Sequence, residues 1–518
     1  MTPNRRPRSA PNERELRLWK VGRALTLAFA AAVLVAGGIF YFLVVLLDVK
    51  EIGATAKLDA KTLFDLVKLS FGVVAGAGAL VALVVAYRRQ RVDEAGAHRE
   101  ATRLHTERFS QAVDKLGSDS PAVRLGGVHA LAGLADDAPD NSLRQTCIDV
   151  LCAYLQLPFT PDPGTDPAHQ EEHHRYLAFR KVRHTILRLI GDHYRRPKGT
   201  HRSWQGCDLD LTGVTIDGDM DFRGAEFSGG TVSFVGATFA DGDVSFRSTT
   251  FSGGTVSFDD ATFSGGDVSF RGAEFSGGDV SFRSAMFSGS DVSFRSATFS
   301  GGTVSFRFAM LSGGDVSFDD TTFNGDVYFD GATFSGGTVS FRSATFSGGD
   351  VSFDDATFSG GDVSFGGATF NGDVYFGGAT FSGGTVSFRS AMFSGGDVSF
   401  RSAMFSGSDV SFFSATFSGS TVYFDDAPFS GGEVSFRSAM FSGGTVYFRN
   451  ATFSGGTVYF RSATFSGGTA SFRSATFSGG DVSFDGAIGS APQGLLAAVG
   501  TPPPSGVTLP SAWLLSAP

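Results

Sequence analysis

Charged residues recur at two fixed positions of a repeated stretch, and these are the positions through which the chain could bind a partner. Close variants of ATFSGGTVSFRSATFSGGDVSF, the sequence from Ala332 to Phe353, fill the chain from about residue 220 to about residue 485. Thr or Asp follows most Gly-Gly pairs, and Arg or Asp follows many of the VSF and VYF triplets. Guanidinium and carboxylate groups form charge-assisted hydrogen bonds with groups of opposite charge. We therefore predict an interaction surface that includes Arg247, Arg271, Arg283, Arg295, Asp259, Asp267, Asp279 and Asp354.

The same residues do not suggest an enzyme. No Ser-His-Asp or Cys-His arrangement, phosphate-binding loop or dinucleotide fingerprint can be assembled from the sequence. The repeated stretch contains no His and no Lys, so it has no obvious general base that titrates near neutral pH. We expect neither catalytic activity nor a cofactor.

Four histidines close together raise the question of a metal site. They are His169, His173, His174 and His184, and His residues four apart share one face of a helix. No HExxH motif accompanies them, and several cations between residues 175 and 183 crowd the same segment. We expect a basic helix face, solvated or in contact with lipid head groups or the acidic repeats, and no bound metal.

The phenylalanines of the repeats follow a period of twelve residues. From Phe222 to Phe484 the gaps between them alternate between five and seven, with two shorter units, FNGDVYF, at Phe323 and Phe370. Val and Phe of VSF are two apart, as are Ala and Phe of ATF, so each pair points to the same side of an extended segment. The Gly-Gly pair tolerates positive φ at a corner. The period predicts a β-solenoid whose coils stack and bury a ladder of Phe rings.

Charge and cysteine content differ along the chain. The formal net charge is -10, but about 29 of the 42 basic residues precede residue 207, whereas the rest of the chain carries about 31 of the 52 acids. The three cysteines, Cys147, Cys152 and Cys207, show no CxxC spacing. We expect them to be reduced, buried thiols.

Two uncharged runs near the N-terminus predict transmembrane helices at residues 24–47 and 69–87, because each is long enough to cross a hydrocarbon core. A basic segment, 1–23, precedes the first run, and Arg88, Arg89 and Arg91 follow the second. Cations flanking a span tend to stay in the cytoplasm. The sequence thus predicts a multi-pass protein of a bacterial plasma membrane, with both termini in the cytoplasm and a short external loop at 48–68.

The remaining parts flank the repeats. Residues 88–203 are polar with apolar residues at helical spacing, such as Leu125, Val128 and Leu131, and predict a helical neck. Residues 204–488 form the predicted solenoid. The tail, 489–518, has no charged side chain, and its apolar residues predict a partial cap on the last coil, whereas its prolines argue equally for disorder.

The repeat resembles a known family. Ala-Thr-Phe-Ser-Gly and Val-Ser-Phe-Arg-Ser match the pentapeptide repeat pattern, with a small residue two before a central Leu or Phe. The resemblance implies an all-β, right-handed, quadrilateral parallel β-helix. WQGCDLDLTGVTIDGDMDF, residues 204–222, is similar to an opening segment, and residues 107–137 are similar to the juxtamembrane segment of membrane-anchored pentapeptide repeat proteins of high-GC bacteria. Two extra residues after every second pentapeptide leave the coil length open, at about 24 or about 20 residues.

We expect a membrane-anchored, non-enzymatic scaffold that presents a protein-interaction surface, with a lipid bilayer and an unidentified protein as partners. The alternative is a DNA-mimicking regulator that binds a topoisomerase or another nucleic-acid enzyme, which the acidic excess permits and the interspersed Arg residues oppose. A calcium-binding solenoid would require a nine-residue period, and an ice-binding Thr array would require an extracellular solenoid. Direct nucleic-acid binding is not expected.

Overall fold

The computed structural model describes residues 60–406, 409–419, 421–500 and 503–514, together with scattered residues between 30 and 45. The chain divides into two compact units, Met1–Leu104 and His105–Pro518. The second unit contains the neck helices and the solenoid, and the sites described below lie in it.

The prediction of two transmembrane helices is wrong. Across the part of the chain that the structure describes, no helix is both long enough and apolar enough to cross a bilayer. Most of the run 24–47 lies outside the described residues. The run 69–87 is not a separate element, because it is one part of helix α1, Ala60–Leu116, which begins within the predicted loop and continues through charged residues after Tyr87. The ends of an uncharged run do not mark the ends of a helix, because a helix continues as long as its backbone hydrogen bonds do. The predicted multi-pass location in the plasma membrane is overturned with it.

Three further helices form the neck that precedes the solenoid. They are α2, Pro121–Asp136, α3, Asn141–Gln156, and α4, Gln170–Tyr194. Their apolar faces meet in a core to which Leu131, Leu151 and Ile186 contribute fully buried side chains. Gly127 lets α2 approach the end of α1 closely, because a Cβ there would lie 2.6 Å from the backbone nitrogen of Leu116.

The solenoid is a parallel β-helix of about 12 turns with four flat sides, which we number by chain order. In the described residues the strands of face 1 run from Leu209–Asp210 to Ala470–Ser471, and those of face 2 from Thr215–Asp217 to Thr476–Phe477. Those of face 3 run from Met220–Asp221 to Val482–Ser483, with Val507–Thr508 of the tail as a last strand, and those of face 4 run from Glu226–Phe227 to Ile488–Gly489. Each strand has two or three residues and pairs in parallel with the strand one coil later.

One coil contains 24 residues, the sequence separation of equivalent positions in successive coils. Val232 pairs with Val256, and Val256 pairs with Val280, so V-S-F segments occupy faces 1 and 3 while A-T-F segments occupy faces 2 and 4. The shorter units give coils of 23 residues, as in the pairing of Val304 with Val327. The missing residue is taken from a corner, so strand register is kept across the change.

The interior is a set of stacked phenylalanine columns. The ring of Phe341 lies 4.7 Å from that of Phe318 and 4.9 Å from that of Phe365, nearly parallel to both. It also meets Phe329 and Phe353 edge-on at 5.5 Å, which interlocks the columns of faces 1 and 3. Offset-stacked and edge-to-face rings are the favoured geometries for aromatic pairs. The predicted Phe-cored β-solenoid is confirmed.

Aspartates at the corners tie each coil to the next. An Asp before face 1 or face 3 accepts the backbone N–H of the residue at the same corner one coil later. Asp291 Oδ1 accepts from Asp315 N at 2.8 Å, and Asp279 Oδ1 accepts from Thr303 N at 2.9 Å. A corner nitrogen that leaves the sheet ladder thereby keeps a partner.

The neck closes the first coil by donating to its open carbonyl groups. Gln145 donates to the carbonyl of Asp208 at 2.9 Å, and Arg183 donates to that of Thr215 at 2.6 Å. Arg195 donates to the carbonyl of Asp221 at 2.7 Å. Side chains thus replace the coil that is missing at this end, where unpaired strand groups would otherwise be exposed.

The last coil is covered by the tail. Val507–Thr508 pairs with Val482–Ser483, and two short helices, α5, Leu495–Val499, and α6, Ser511–Leu514, follow the same end. Trp513 lies 5.6 Å from the ring of Phe484 and donates to the carbonyl of Gly489 at 2.8 Å. The described tail residues therefore form an ordered cover over the final Phe rings.

Replacement of one core phenylalanine tests the packing account. We expect Phe341→Ala to lower the free energy of unfolding by about 3–5 kcal/mol, because a fully buried ring is lost and a cavity remains. The control is Phe413→Ala, the same change at an outward position that is 37% exposed, with an expected effect within about 0.5 kcal/mol. Denaturation followed by far-ultraviolet circular dichroism measures both, and equal losses would contradict the account.

Replacement of a corner aspartate tests the hydrogen bond by which its carboxylate joins one coil to the next. Asp291→Ala removes the acceptor for Asp315 N, at an expected cost of about 0.5–1.5 kcal/mol in the free energy of unfolding. Asp291→Asn keeps an oxygen acceptor and should restore most of that loss. Thr303→Ala is the control, because Thr303 occupies an equivalent corner and its hydroxyl makes no such bond among the described residues. If Asp291→Asn lowered the free energy of unfolding as much as Asp291→Ala does, the stabilisation would come from the negative charge and not from the hydrogen bond.

Candidate functional site

The eight predicted interaction residues fall into four columns along the solenoid. Arg247, Arg271 and Arg295 stack at the end of face 3, at pairings one coil apart. Asp259, Arg283 and Asp354 share the corresponding column at the end of face 1. Asp267 lies at the corner before face 3 and Asp279 at the corner before face 1. The structure therefore does not bring all eight together.

Face 3 separates its charges into two rails with a serine column between them. The corner before this face carries five acids in succession, Asp219, Asp243, Asp267, Asp291 and Asp315, whereas the corner after it carries Arg223, Arg247, Arg271 and Arg295. Carboxylates of the acidic rail accept hydrogen bonds from the backbone of the solenoid; for example, Asp267 Oδ1 accepts from Asp291 N at 3.3 Å. The guanidinium groups of the basic rail are exposed, and Arg295 approaches Asp320 at 3.6 Å.

The column at the end of face 1 is mixed, and several of its arginines are already paired. Arg307 Nε lies 2.8 Å from Asp330 Oδ2, and its guanidinium lies 4.0 Å above the ring of Tyr328. Arg449 binds Asp425 at 2.6 Å. Each such pair places opposite charges next to each other on successive coils, which avoids repulsion between those two strands.

Two of the predicted aspartates have structural contacts. Asp354 accepts the backbone N–H of Gly377 at 2.7 Å, and burial raises the pKa of its carboxyl group. Asp259 accepts the N–H of Arg283 at 3.0 Å and the hydroxyl of Ser281. Many of the carboxylates in the repeats therefore accept hydrogen bonds from the solenoid itself.

Face 1 has one recess that combines different chemical groups, which we call the face 1 recess. It has a volume of about 480 Å³ and is lined by Asp259, Ser281, Arg283, Ser305, Arg307, Phe308 and Asp330. The strands Val280–Ser281 and Val304–Ser305 form its floor. Its lining includes the predicted residues Asp259 and Arg283.

Arg283 and Phe308 are the two groups in this recess that the solenoid leaves available. The Arg283 guanidinium is exposed and has no carboxylate within 4.0 Å among the described residues. Phe308 is 55% exposed. A guanidinium beside an exposed ring can bind a carboxylate and an apolar side chain together.

Phe308 also has an unusual backbone conformation. Its φ of 58° lies in the left-handed region, which bulky residues rarely adopt. The equivalent corner positions of the other coils carry small or short polar residues, such as Ser284, Asp355 and Asn450. The ring lies over Gly331, where a Cβ would come 2.7 Å from it. The sequence signal for this site is the departure from the repeat, RFAM in place of RSAM, which the charge pattern does not reveal.

Three of the four histidines considered for a metal site lie beside acidic residues, and the cysteines are buried. His169 lies 3.1 Å from Glu172 and His173 lies 2.6 Å from Asp162, whereas His184 contacts Asp217, which also binds Arg180. His184 and Arg180 thus contact the first coil, whereas His169 and His173 contact acids of the neck. The three cysteines are buried, and burial raises the pKa of Cys147 and of Cys152 to about 12. Such thiols are poor nucleophiles at neutral pH.

Comparison with known protein families finds a match to one family model. The profile described as Pentapeptide repeats matches nine copies, at residues 241–286, 318–369 and 443–488. No curated protein matches the chain. The matched segments are spread along the solenoid and contain both V-S-F and A-T-F strands. These three segments of the solenoid are therefore similar to pentapeptide repeats.

Proposed function

We propose that the solenoid is a non-enzymatic scaffold that binds a partner protein through the face 1 recess. The observation that carries the proposal is Phe308, a bulky, exposed residue in a left-handed conformation that costs free energy without adding to the core. Strain of this kind is a reason to look for a function. The partner segment we expect is acidic with an apolar side chain, since Arg283 supplies charge and Phe308 supplies apolar area.

The rest of the solenoid supports this role by holding the recess in place. Arg307 is fixed between Asp330 and Tyr328, so the wall beside Phe308 is ordered before any partner arrives. Fewer side chains then have to be immobilised on binding, which favours affinity. The pentapeptide repeat fold is compatible with such a scaffold.

Imitation of DNA is the weaker alternative. Duplex DNA carries one negative charge per about 1.7 Å of its axis, whereas a column of one Asp per coil has a charge only every 4.8 Å or so. The longest acidic run lies on face 3, opposite a rail of arginines across the same face. Its carboxylates also accept backbone hydrogen bonds, as Asp243 does from Asp267 N at 3.0 Å.

Substitution of Phe308 separates a binding role from a structural one. Phe308→Ser installs the residue found at Ser284, which has the same backbone conformation. We expect it to raise the free energy of unfolding by up to about 1 kcal/mol, because strain is relieved, and to weaken partner binding at least tenfold. Denaturation measures the first effect, and affinity capture with the full chain followed by quantitative mass spectrometry measures the second.

Two variants control this experiment. Arg283→Gln should weaken capture of the same partner, whereas Phe413→Arg, which restores the repeat residue at a corner of face 3, should not. A partner that is retained equally by wild type, Phe308→Ser and Arg283→Gln would contradict the proposal. Retention of a nucleic-acid enzyme by these variants, with loss after Asp243→Asn and Asp267→Asn, would favour DNA imitation instead.

A further inference from the structure

The neck contains a cleft that the scaffold role does not use. It has a volume of about 430 Å³ and lies between α2, α4 and the segment that follows α3. Its lining combines the cations Arg124, Arg175 and Arg183 with the rings of Phe159, Tyr176 and Phe179. The volume is within the range of small-molecule sites.

Arg183 is a buried cation in the lining of this cleft. Its side chain is buried, with the residue only 5% exposed, and it makes one hydrogen bond, to the carbonyl of Thr215 at 2.6 Å. Its guanidinium lies 4.7 Å from the centre of the Phe159 ring. Burial lowers the pKa of Arg183, the direction expected for a cation removed from water. The Asp217 carboxylate acts on Arg183 electrostatically but forms no ion pair with it. A buried cation without an ion-pair partner is unfavourable, so an anion that contacts Arg183 would gain binding free energy.

The other two arginines also lack a carboxylate. Arg124 donates to the hydroxyl of Tyr154 at 3.0 Å and to the carbonyl of Ser118, and it lies 4.6 Å from the centre of the Phe179 ring. Arg175 is exposed at the rim and has no hydrogen-bond or ion-pair partner among the described residues. Five N–H donors on each guanidinium leave several directions open towards the cleft.

The acids nearest to the cleft are engaged elsewhere. Glu172 at the rim lies 3.1 Å from His169. Asp217 is bound by Arg180 at 3.1 Å, and it accepts the hydroxyl of Tyr176. The three cleft arginines therefore have no ion pair within the described residues, and the cleft keeps a positive charge.

We propose that this cleft binds a small organic anion with a planar aromatic body and a carboxylate or phosphate group. The anionic group contacts Arg183 and Arg175, and the ring packs between Phe159 and Phe179. Pro158, Pro161 and Pro163 form a stiff wall beside them, because proline fixes φ. Carboxylate and phosphate both accept paired hydrogen bonds from guanidinium, so the binding data must distinguish them.

Calorimetric titration of the full chain with four matched probes tests the ligand class. Phenyl phosphate and benzoate carry the ring with each anion, benzamide carries the ring without charge, and inorganic phosphate carries charge without the ring. We expect phenyl phosphate or benzoate to bind at least about tenfold more tightly than benzamide and inorganic phosphate. The tighter of the two identifies the anionic group. Equal affinities for benzoate and benzamide, or no detectable binding of the two ring anions at millimolar concentration, would overturn the proposal.

Matched variants locate the binding in the cleft. Arg175→Gln should lower the affinity for the anionic probe by about twofold to fivefold, the range expected for an exposed charge. Arg183→Gln should lower that affinity by about tenfold or more. Lys181→Gln is the control, because it removes one exposed charge from the same helix α4 without lining the cleft. Since Arg183 also holds the first coil, Arg175→Gln is the decisive comparison. Equal affinities for the Arg175→Gln and Lys181→Gln proteins would place the bound anion elsewhere and contradict the proposal.

Discussion

The hydrogen bonds that join each coil to the next impose the constraint on which the rest of this structure depends. Every 24 residues the backbone must return to the same position, so that Val232 meets Val256 and Phe341 stacks on Phe365. Parallel pairing of this kind buries its strands only if the same residue type recurs at the same place. The coils that contain a shorter unit keep this condition by losing a residue at a corner, where no side chain enters the core.

The same constraint explains why so much of the surface is not free for function. Corner aspartates such as Asp279 and Asp291 accept backbone N–H groups, and Asp259 and Asp354 do the same beside the strands. Many of the arginines are held by neighbouring acids or rings. The residues that remain available for binding are then those that depart from the repeat and do not stabilise the stacked coils. Phe308 is the clearest example.

The fold of the solenoid could be predicted from sequence because its physics is local and repeated. The alternation of five and seven between phenylalanines implies two inward segments per unit, and the structure buries those rings. The contacts that close the first coil could not be predicted, since Gln145 and Asp208 are 63 residues apart and follow no repeat. The transmembrane prediction was wrong because no helix of the described residues is long and apolar enough to cross a bilayer. Residues 69–87 are part of a longer helix, Ala60–Leu116, which also contains charged residues. Of the face 1 recess, charge patterning identified Asp259 and Arg283 but not Phe308, which contributes an exposed ring rather than a charge.

Neck and solenoid carry different chemistry. The neck cleft places guanidinium groups that form no ion pair within the described residues among aromatic rings, whereas the face 1 recess is open and contains the ion pair of Arg307 with Asp330. We infer that Phe308, a departure from the repeat that lines the face 1 recess, determines what the solenoid binds, rather than the repeated positions. Site-specific photo-crosslinking with p-benzoylphenylalanine tests it most directly, with the probe placed at position 308 and, in a second protein, at position 438, where Ser438 has the same left-handed conformation. We expect a discrete protein adduct from position 308 and none from position 438. Equal adducts from both positions, or an adduct from position 438 only, would show that Phe308 does not determine binding.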